Sequence, residues 1–290
     1  MIVEQLAQAY RNACMAELEA LKPGNIHVFA DGHGMTIQDF IKSADASAMV
    51  IAQPNLSVGE RILKSVQATH AAVGINTNLG IILLCAPLIQ AAIDQVLNPE
   101  ISFLKKLATT LNNLTVEDAN LVAQAIVLAN PAGLGATEDN DVHTNATVSL
   151  LEMMASAQDK DRIAWQYANY YSDIFEFGMP EYVKALARWQ DSSNSRGQNK
   201  AWATTAIYLG FLARQLDSHI VRKFGEEVAK QVMQEAKGIE KKFKEAGNPK
   251  LLQKQLLAMD TALKKRGINP GTTADLTVAC LLLSDFDVYV

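Results

Sequence analysis

Apolar residues recur at three- and four-residue spacing along most of the chain, and many of the runs open on a hydroxyl, an amide or an acid. Thr36 with Asp39 reads as a cap and its partner three residues on, with apolar Ile37, Phe40, Ile41, Ala44 and Ala48 in helical spacing. Ser57 with Glu60 is a stronger capping box, opening a run through Ile62, Leu63 and Val66. Asn98-Pro99 predicts a cap and a first-turn proline ahead of Ile101, Leu104 and Leu107. Thr115 with Asp118 opens a further helix, which Asn130-Pro131 closes. Two long helices are predicted from Asn145 to Ala157 and from Asp159 to about Phe177. Strand-like alternation is missing, so the fold class is all-α.

The segment from Glu226 to Lys265 is rich in Lys, Glu and Gln and broken at Gly247-Asn248-Pro249. A basic arm and a solvated helical hairpin both fit it. Interspersed acids favour the hairpin. Ser192 to Lys200 is a polar loop, but the helical pattern resumes at once, so residues 1–290 read as one helical domain with apolar helices at its centre.

Composition narrows the function. With 49% hydrophobic and 20% charged residues, the 290-residue chain has material for a sizeable core. A net charge of −5 argues against a general nucleic-acid binder. Glu4, Arg11, Glu17 and Glu19 interrupt the N-terminal apolar runs, so no signal peptide is expected. The run Leu79 to Ile89 holds Pro87 and is shorter than the ~20 residues a bilayer requires, which predicts a core helix and no membrane span. Cys14, Cys85 and Cys280 lack paired or metal-ligand spacing, as in a cytoplasmic protein with reduced thiols.

Five short segments gather glycine, amide, hydroxyl and charge at helix ends. Lys22-Pro23-Gly24-Asn25 sets a lysine beside a glycine turn whose amides would hold phosphate oxygens, or is an ordinary helix stop. Asn76-Thr77-Asn78-Leu79-Gly80 places three polar residues between buried runs, as ligand contacts or as caps. Pro131 to Gly135 leads into Asp139 and Asp141, acids suited to Mg²⁺ or to an exposed capping loop. Asp217 precedes Arg222 and Lys223, two cations that would meet phosphate or complement a helix dipole. Pro270-Gly271-Thr272-Thr273-Ala274-Asp275 opens the apolar C-terminal helix, as an anion site or as an N-cap.

Taken in order, these segments resemble the triphosphoribosyl-dephospho-coenzyme A synthase family from Lys22 nearly to the C-terminus. The resemblance implies a helical transferase that moves a 5-triphosphoribosyl group from ATP to the 2′-hydroxyl of 3′-dephospho-coenzyme A and releases adenine, for prosthetic-group synthesis. It implies catalytic carboxylates at Asp141 and Asp275. Lys22, Gly24, Asn25, Asn76, Thr77, Asn78, Gly80, Arg222, Lys223, Gly271 and Thr272 would bind nucleotide and phosphate, and Asp139, Asp141 and Asp217 would hold Mg²⁺. Citrate-lyase-type members carry histidine and lysine where this chain has Asn78 and Leu79, which leaves a different acceptor, or water, open. A non-catalytic helical scaffold is the other alternative. It would leave the polar segments dispersed, whereas an enzyme would gather Lys22, Asn76, Asp141, Arg222 and Asp275. The oligomeric state stays open, a homodimer included.

Overall fold

The computed structural model describes residues 2–130, 145–189 and 198–286. Among them are fourteen α-helices and no β-strand. The first eight are α1 (Ile2–Glu19), α2 (Ile37–Ile51), α3 (Val58–Val73), α4 (Leu79–Leu97), α5 (Phe103–Asn112), α6 (Val116–Ala129), α7 (Leu150–Ala157) and α8 (Arg162–Ala168). A π-helix, Asp173–Gly178, precedes α9 (Met179–Arg188), α10 (Gln198–Arg214), α11 (Ser218–Phe224) and α12 (Glu226–Glu245). After a 3₁₀ turn come α13 (Gln253–Lys265) and α14 (Gly271–Ser284). The contacts group into two compact units, where the sequence pattern was read as one domain. Unit 1 comprises residues 1–12, 38–172 and 282–290, and unit 2 comprises 13–37 and 173–281.

Unit 1 is organised by α4, on which α3, α5 and α8 pack. Its apolar run is buried from Ile81 to Ile89. Among the described residues α4 is the one helix long and apolar enough to cross a membrane, by length and composition alone. Pro87 has no N–H, so the Leu83 carbonyl one turn earlier loses its helical donor. The Tyr167 hydroxyl supplies the missing bond at 2.6 Å, and Tyr171 donates to the Leu84 carbonyl at 3.0 Å.

Both expected capping boxes form, at Ser57/Glu60 and Thr115/Asp118. Asp118 serves two helices at once. Its Oδ1 accepts from the Ser57 hydroxyl (2.6 Å) and the Gly59 amide (2.8 Å), and its Oδ2 from the Thr115 amide (2.9 Å) and hydroxyl (2.8 Å). Glycine is required at 59, because a Cβ there would stand 2.6 Å from the Asp118 Cα.

Three predicted boundaries differ. Asn98 ends α4, and α5 starts only after Ser102. The helix predicted from Asn145 starts at Leu150, behind a Ser149/Glu152 capping box. The pattern from Asp159 to Phe177 is interrupted, since Tyr170 and Tyr171 both take positive φ (50° and 61°) between α8 and the π-helix.

In unit 2, α10 lies between α9 and α12, and α11 packs on α12. The Lys/Glu/Gln-rich segment is indeed a helical hairpin, α12 and α13, broken where Gly247-Asn248-Pro249 stands. It also buries one face: Val232, Met259 and Leu263 join Tyr208, Leu212, Ile220 and Ile268 in the core.

Candidate functional site

The motifs divide between the units. In unit 1, Asn76 Oδ1 caps the amide of Leu79 at 3.2 Å, while Asn78 occupies the N-cap position of α4 without a side-chain cap bond. Thr77 donates to the Ser43 hydroxyl (2.6 Å), Asn78 donates to the Ser47 hydroxyl (3.3 Å), and Gly80 lies half-buried in the first turn. A cleft of about 550 Å³ opens elsewhere in this unit, lined by Glu60, Asp94, Glu117 and Asp118 together with Gln90 and Asn113. Its described lining holds no cationic side chain, the wrong sign for a polyphosphate.

In unit 2 the remaining described motifs form one connected network. The chain leaves α1 and turns at Gly24, whose φ of +85° suits glycine. A Cβ there would also stand 2.9 Å from Leu263 and from Pro270, so this turn packs against the segment that starts α14. The Gly24 amide donates to Asp260 Oδ1 at 2.9 Å, and the Asn25 amide group to Asn269 Oδ1 at 2.8 Å. The Tyr208 hydroxyl donates to the Pro23 carbonyl at 2.8 Å. Three separate segments thus hold one glycine turn.

Lys22 is placed differently from its expected role as a phosphate ligand. It is fully buried, its ammonium paired with Glu17 and bonded to Asn25 Oδ1 at 3.1 Å. Burial drives its pKa down, against the attraction of Glu17 and, more weakly, of Asp275. Lys22 is therefore a structural cation behind the turn, electrically coupled to Asp275. Asp275 itself is half-buried and is the fifth residue of α14, so it stands beyond the cap position that a helix start would give it.

Asp217 was expected to hold metal. Its carboxylate is instead engaged on both oxygens: Oδ1 accepts from the Ile220 amide at 3.1 Å, and Oδ2 from the Thr273 amide and hydroxyl, each at 2.8 Å. It caps α11 and ties that helix to the first turn of α14. Burial raises its pKa despite those bonds. No group of three or more acids, histidines or cysteines suited to a metal exists among the described residues. Asp139 and Asp141, with the Pro131–Gly135 turn, lie outside the described residues.

Next to this cap stands the His219 ring, 3.5 Å from where a Cβ on Gly271 would be. Burial, then the nearby charges of Arg222, Lys223 and His33, hold its pKa down at about 4. Arg222 and Lys223 are exposed in the last turn of α11. Thr272 and Thr273 are buried in the first turn of α14, and Gly271 is half-buried there. The result is an edge on which exposed Arg222 and Lys223 accompany the neutral His219 ring beside a helix N-terminus, a setting that favours anions.

Three residues of this network went unpredicted. Asp260 accepts from Gly24, lies 3.4 Å from His27 Nε2 and 3.1 Å from Lys264 Nζ. Burial raises its pKa, but nearby His27 and the bonds from Gly24 and Lys264 outweigh that and hold the carboxyl below its ordinary range. His33 donates to the Gly24 carbonyl at 2.8 Å, and His219 lines the edge. Asp260 had a signal: Leu256, Met259, Asp260 and Leu263 share one buried stripe of α13, which puts an acid on an apolar face.

A family model described as ATP:dephospho-CoA triphosphoribosyl transferase matches residues 3–290. Among solved structures the chain is similar to a candidate triphosphoribosyl-dephospho-CoA synthase from Archaeoglobus fulgidus. The two are 22% identical with a TM-score of 0.58, over 86% of this chain and 98% of that one, a likeness of fold. Comparison with curated proteins gave no match.

Proposed function

The chain belongs to the ATP:dephospho-CoA triphosphoribosyl transferase family, and from that premise we propose that the cationic edge of unit 2 holds the triphosphate of ATP while Asp275 faces the reacting ribose. The activity is transfer of a triphosphoribosyl group from ATP to dephospho-CoA, a step in making a CoA-derived prosthetic group. The observation that carries the site is His219 standing against the N-terminus of α14, which also bears Asp275, with Arg222 and Lys223 following it on α11.

The chemistry follows from charge. In the reaction the bond from ribose C1′ to the adenine nitrogen breaks, and a new bond forms from C1′ to the acceptor hydroxyl oxygen. The hydroxyl proton leaves the acceptor and adenine departs protonated, so atoms and charge balance. As the old bond lengthens, positive charge develops on the ribose, and a carboxylate beside it lowers the barrier. Asp275 is that carboxylate and takes the hydroxyl proton. The triphosphate stays on the product, so it must be gripped throughout. Arg222 and Lys223 supply charge from one side, and the Thr272 amide at the start of α14 completes the cradle.

Mg²⁺ belongs to the proposal as a companion of the ATP phosphates. The described residues do not form a resident site for it, so no step here depends on it. A cytoplasmic location, which the buried Cys14, Cys85 and Cys280 suit, is part of the same reading.

The test is to incubate the protein with ATP, Mg²⁺ and dephospho-CoA and to follow free adenine. Acceptor-dependent release is expected. Release without acceptor would indicate a hydrolase, and no release with any acceptor would revive the scaffold.

A further inference from the structure

The segment that follows His27 is unused by the reaction as drawn. Val28 and Phe29 are 50% and 56% exposed. A single exposed apolar side chain needs no explanation. This pair is unusual in how firmly the backbone beneath it is held. The Val28 amide donates to the Leu18 carbonyl (3.0 Å) and the Ala30 amide to that of His27 (2.9 Å). The Phe29 amide donates to His27 Nδ1 (3.3 Å), and the Ala30 carbonyl accepts from Lys264 (3.0 Å).

The Phe29 ring centroid stands 5.8 Å from that of buried His27, at 58°. One side of the ring is therefore propped, and much of the rest meets water. A few residues on, His33 is anchored to Gly24 and neighbours His219, as Arg222 and Lys223 do. Four residues of chain reach at most about 14 Å, so an aromatic face and the His33 ring of that edge are held within a nucleotide's reach.

We propose that Phe29, flanked by Val28, is the platform on which the purine base of ATP stacks while the phosphates lie along His33, His219, Arg222 and Lys223. The inference rests on the reading of unit 2 as the donor site. A purine presents a flat, uncharged face, which an exposed phenyl ring recognises without needing matched hydrogen bonds. Dephospho-CoA carries a purine as well. The donor is favoured because this loop runs to His33, which neighbours the same His219 as Arg222 and Lys223, and ATP brings the denser phosphate charge.

The experiment compares ATP, inorganic tripolyphosphate and dephospho-CoA by calorimetry on the full chain, as parent, Phe29→Ala and Phe29→Trp. Phe29→Ala is expected to weaken ATP about fivefold to a hundredfold, the range of one base–aromatic stack. Tripolyphosphate and dephospho-CoA should stay within about twofold, and Phe29→Trp should restore ATP binding because any aromatic face serves. An unchanged melting temperature separates this from a folding defect. Equal losses for ATP and tripolyphosphate would overturn the proposal, since the loop would then be positioning His33. A loss confined to dephospho-CoA, or no loss, would overturn it too. A parent protein that binds neither ATP nor tripolyphosphate would overturn the donor-site reading together with it.

Discussion

Asp118 in unit 1 and Asp217 in unit 2 are both buried carboxylates at helix N-termini, yet the protein treats them oppositely. Burial raises the pKa of Asp118, but four donors from two helix starts outweigh it and hold the carboxyl below its ordinary range. Asp217 has three donors, and burial wins, so its pKa is raised. Asp118 closes a fully matched set of caps, and the cleft beside it is acidic. Asp217 fastens α11 to α14 and thereby sets exposed Arg222 and Lys223 near a helix N-terminus. A buried acid is thus a poor marker of a site by itself. What marks the site is the chemistry the acid positions.

The largest effect that would break this contrast is expected at Asp275. Asp275→Asn should lower adenine release by about 10²–10⁴-fold, the range of a lost acid–base group, with the melting temperature nearly unchanged. Survival of turnover would remove Asp275 from the mechanism and shift attention to Asp141, whose Asn variant is the internal comparison.

Asp118→Ala comes next and should act on folding alone. It removes two cap interactions of ~1 kcal/mol each and strands buried donors, so a loss of about 2–4 kcal/mol by urea unfolding is expected at neutral pH. Because the folded pKa of Asp118 is depressed, its contribution is present above the unfolded value, near pH ~4. It is lost as pH falls through the folded value, so the gap between parent and variant should narrow in acid. Activity per folded molecule should be unchanged.

Replacing both Arg222 and Lys223 by Ala should weaken tripolyphosphate binding by about tenfold to fiftyfold, and more steeply at low salt because both are exposed. Retained binding would mean that the edge is a dipole-balancing pair and no more.

The smallest effect concerns Asp217→Asn. With the folded pKa raised, the acid's contribution to stability is complete below its unfolded pKa and declines as pH rises through the folded one. The variant should therefore show a flatter fall in unfolding free energy above about pH 4, and cost about 1 kcal/mol below it by turning an amide toward a donor. An equal slope in both proteins would contradict the burial argument.

Local signals were the legible ones. The Ser57/Glu60 and Thr115/Asp118 boxes follow from side chains three residues apart, and they form as the spacing requires. Asn98-Pro99 misled because a cap and a stop use the same residues, and only packing decides which helix they serve. The break at Tyr170 and Tyr171 had no local cause, for it is bound up with the partners that the Tyr167 and Tyr171 hydroxyls find on α4 and the Tyr170 hydroxyl finds on α5. At the site, glycine turns and exposed cations were readable. The role of Asp260 depends on segments 236 residues apart meeting at Gly24, and that of His219 on a separate helix meeting Gly271, neither of which local spacing shows.

The proline in α4 has an optical consequence. Tyr167 and Tyr171 are buried donors whose pKa values burial pushes far up. Neither ring will ionise at the pH where an exposed tyrosine does. Phenolate absorbance from these two rings will therefore emerge only when α4 lets go of them. In an alkaline titration that delayed step is a clock for the opening of unit 1, read without any label.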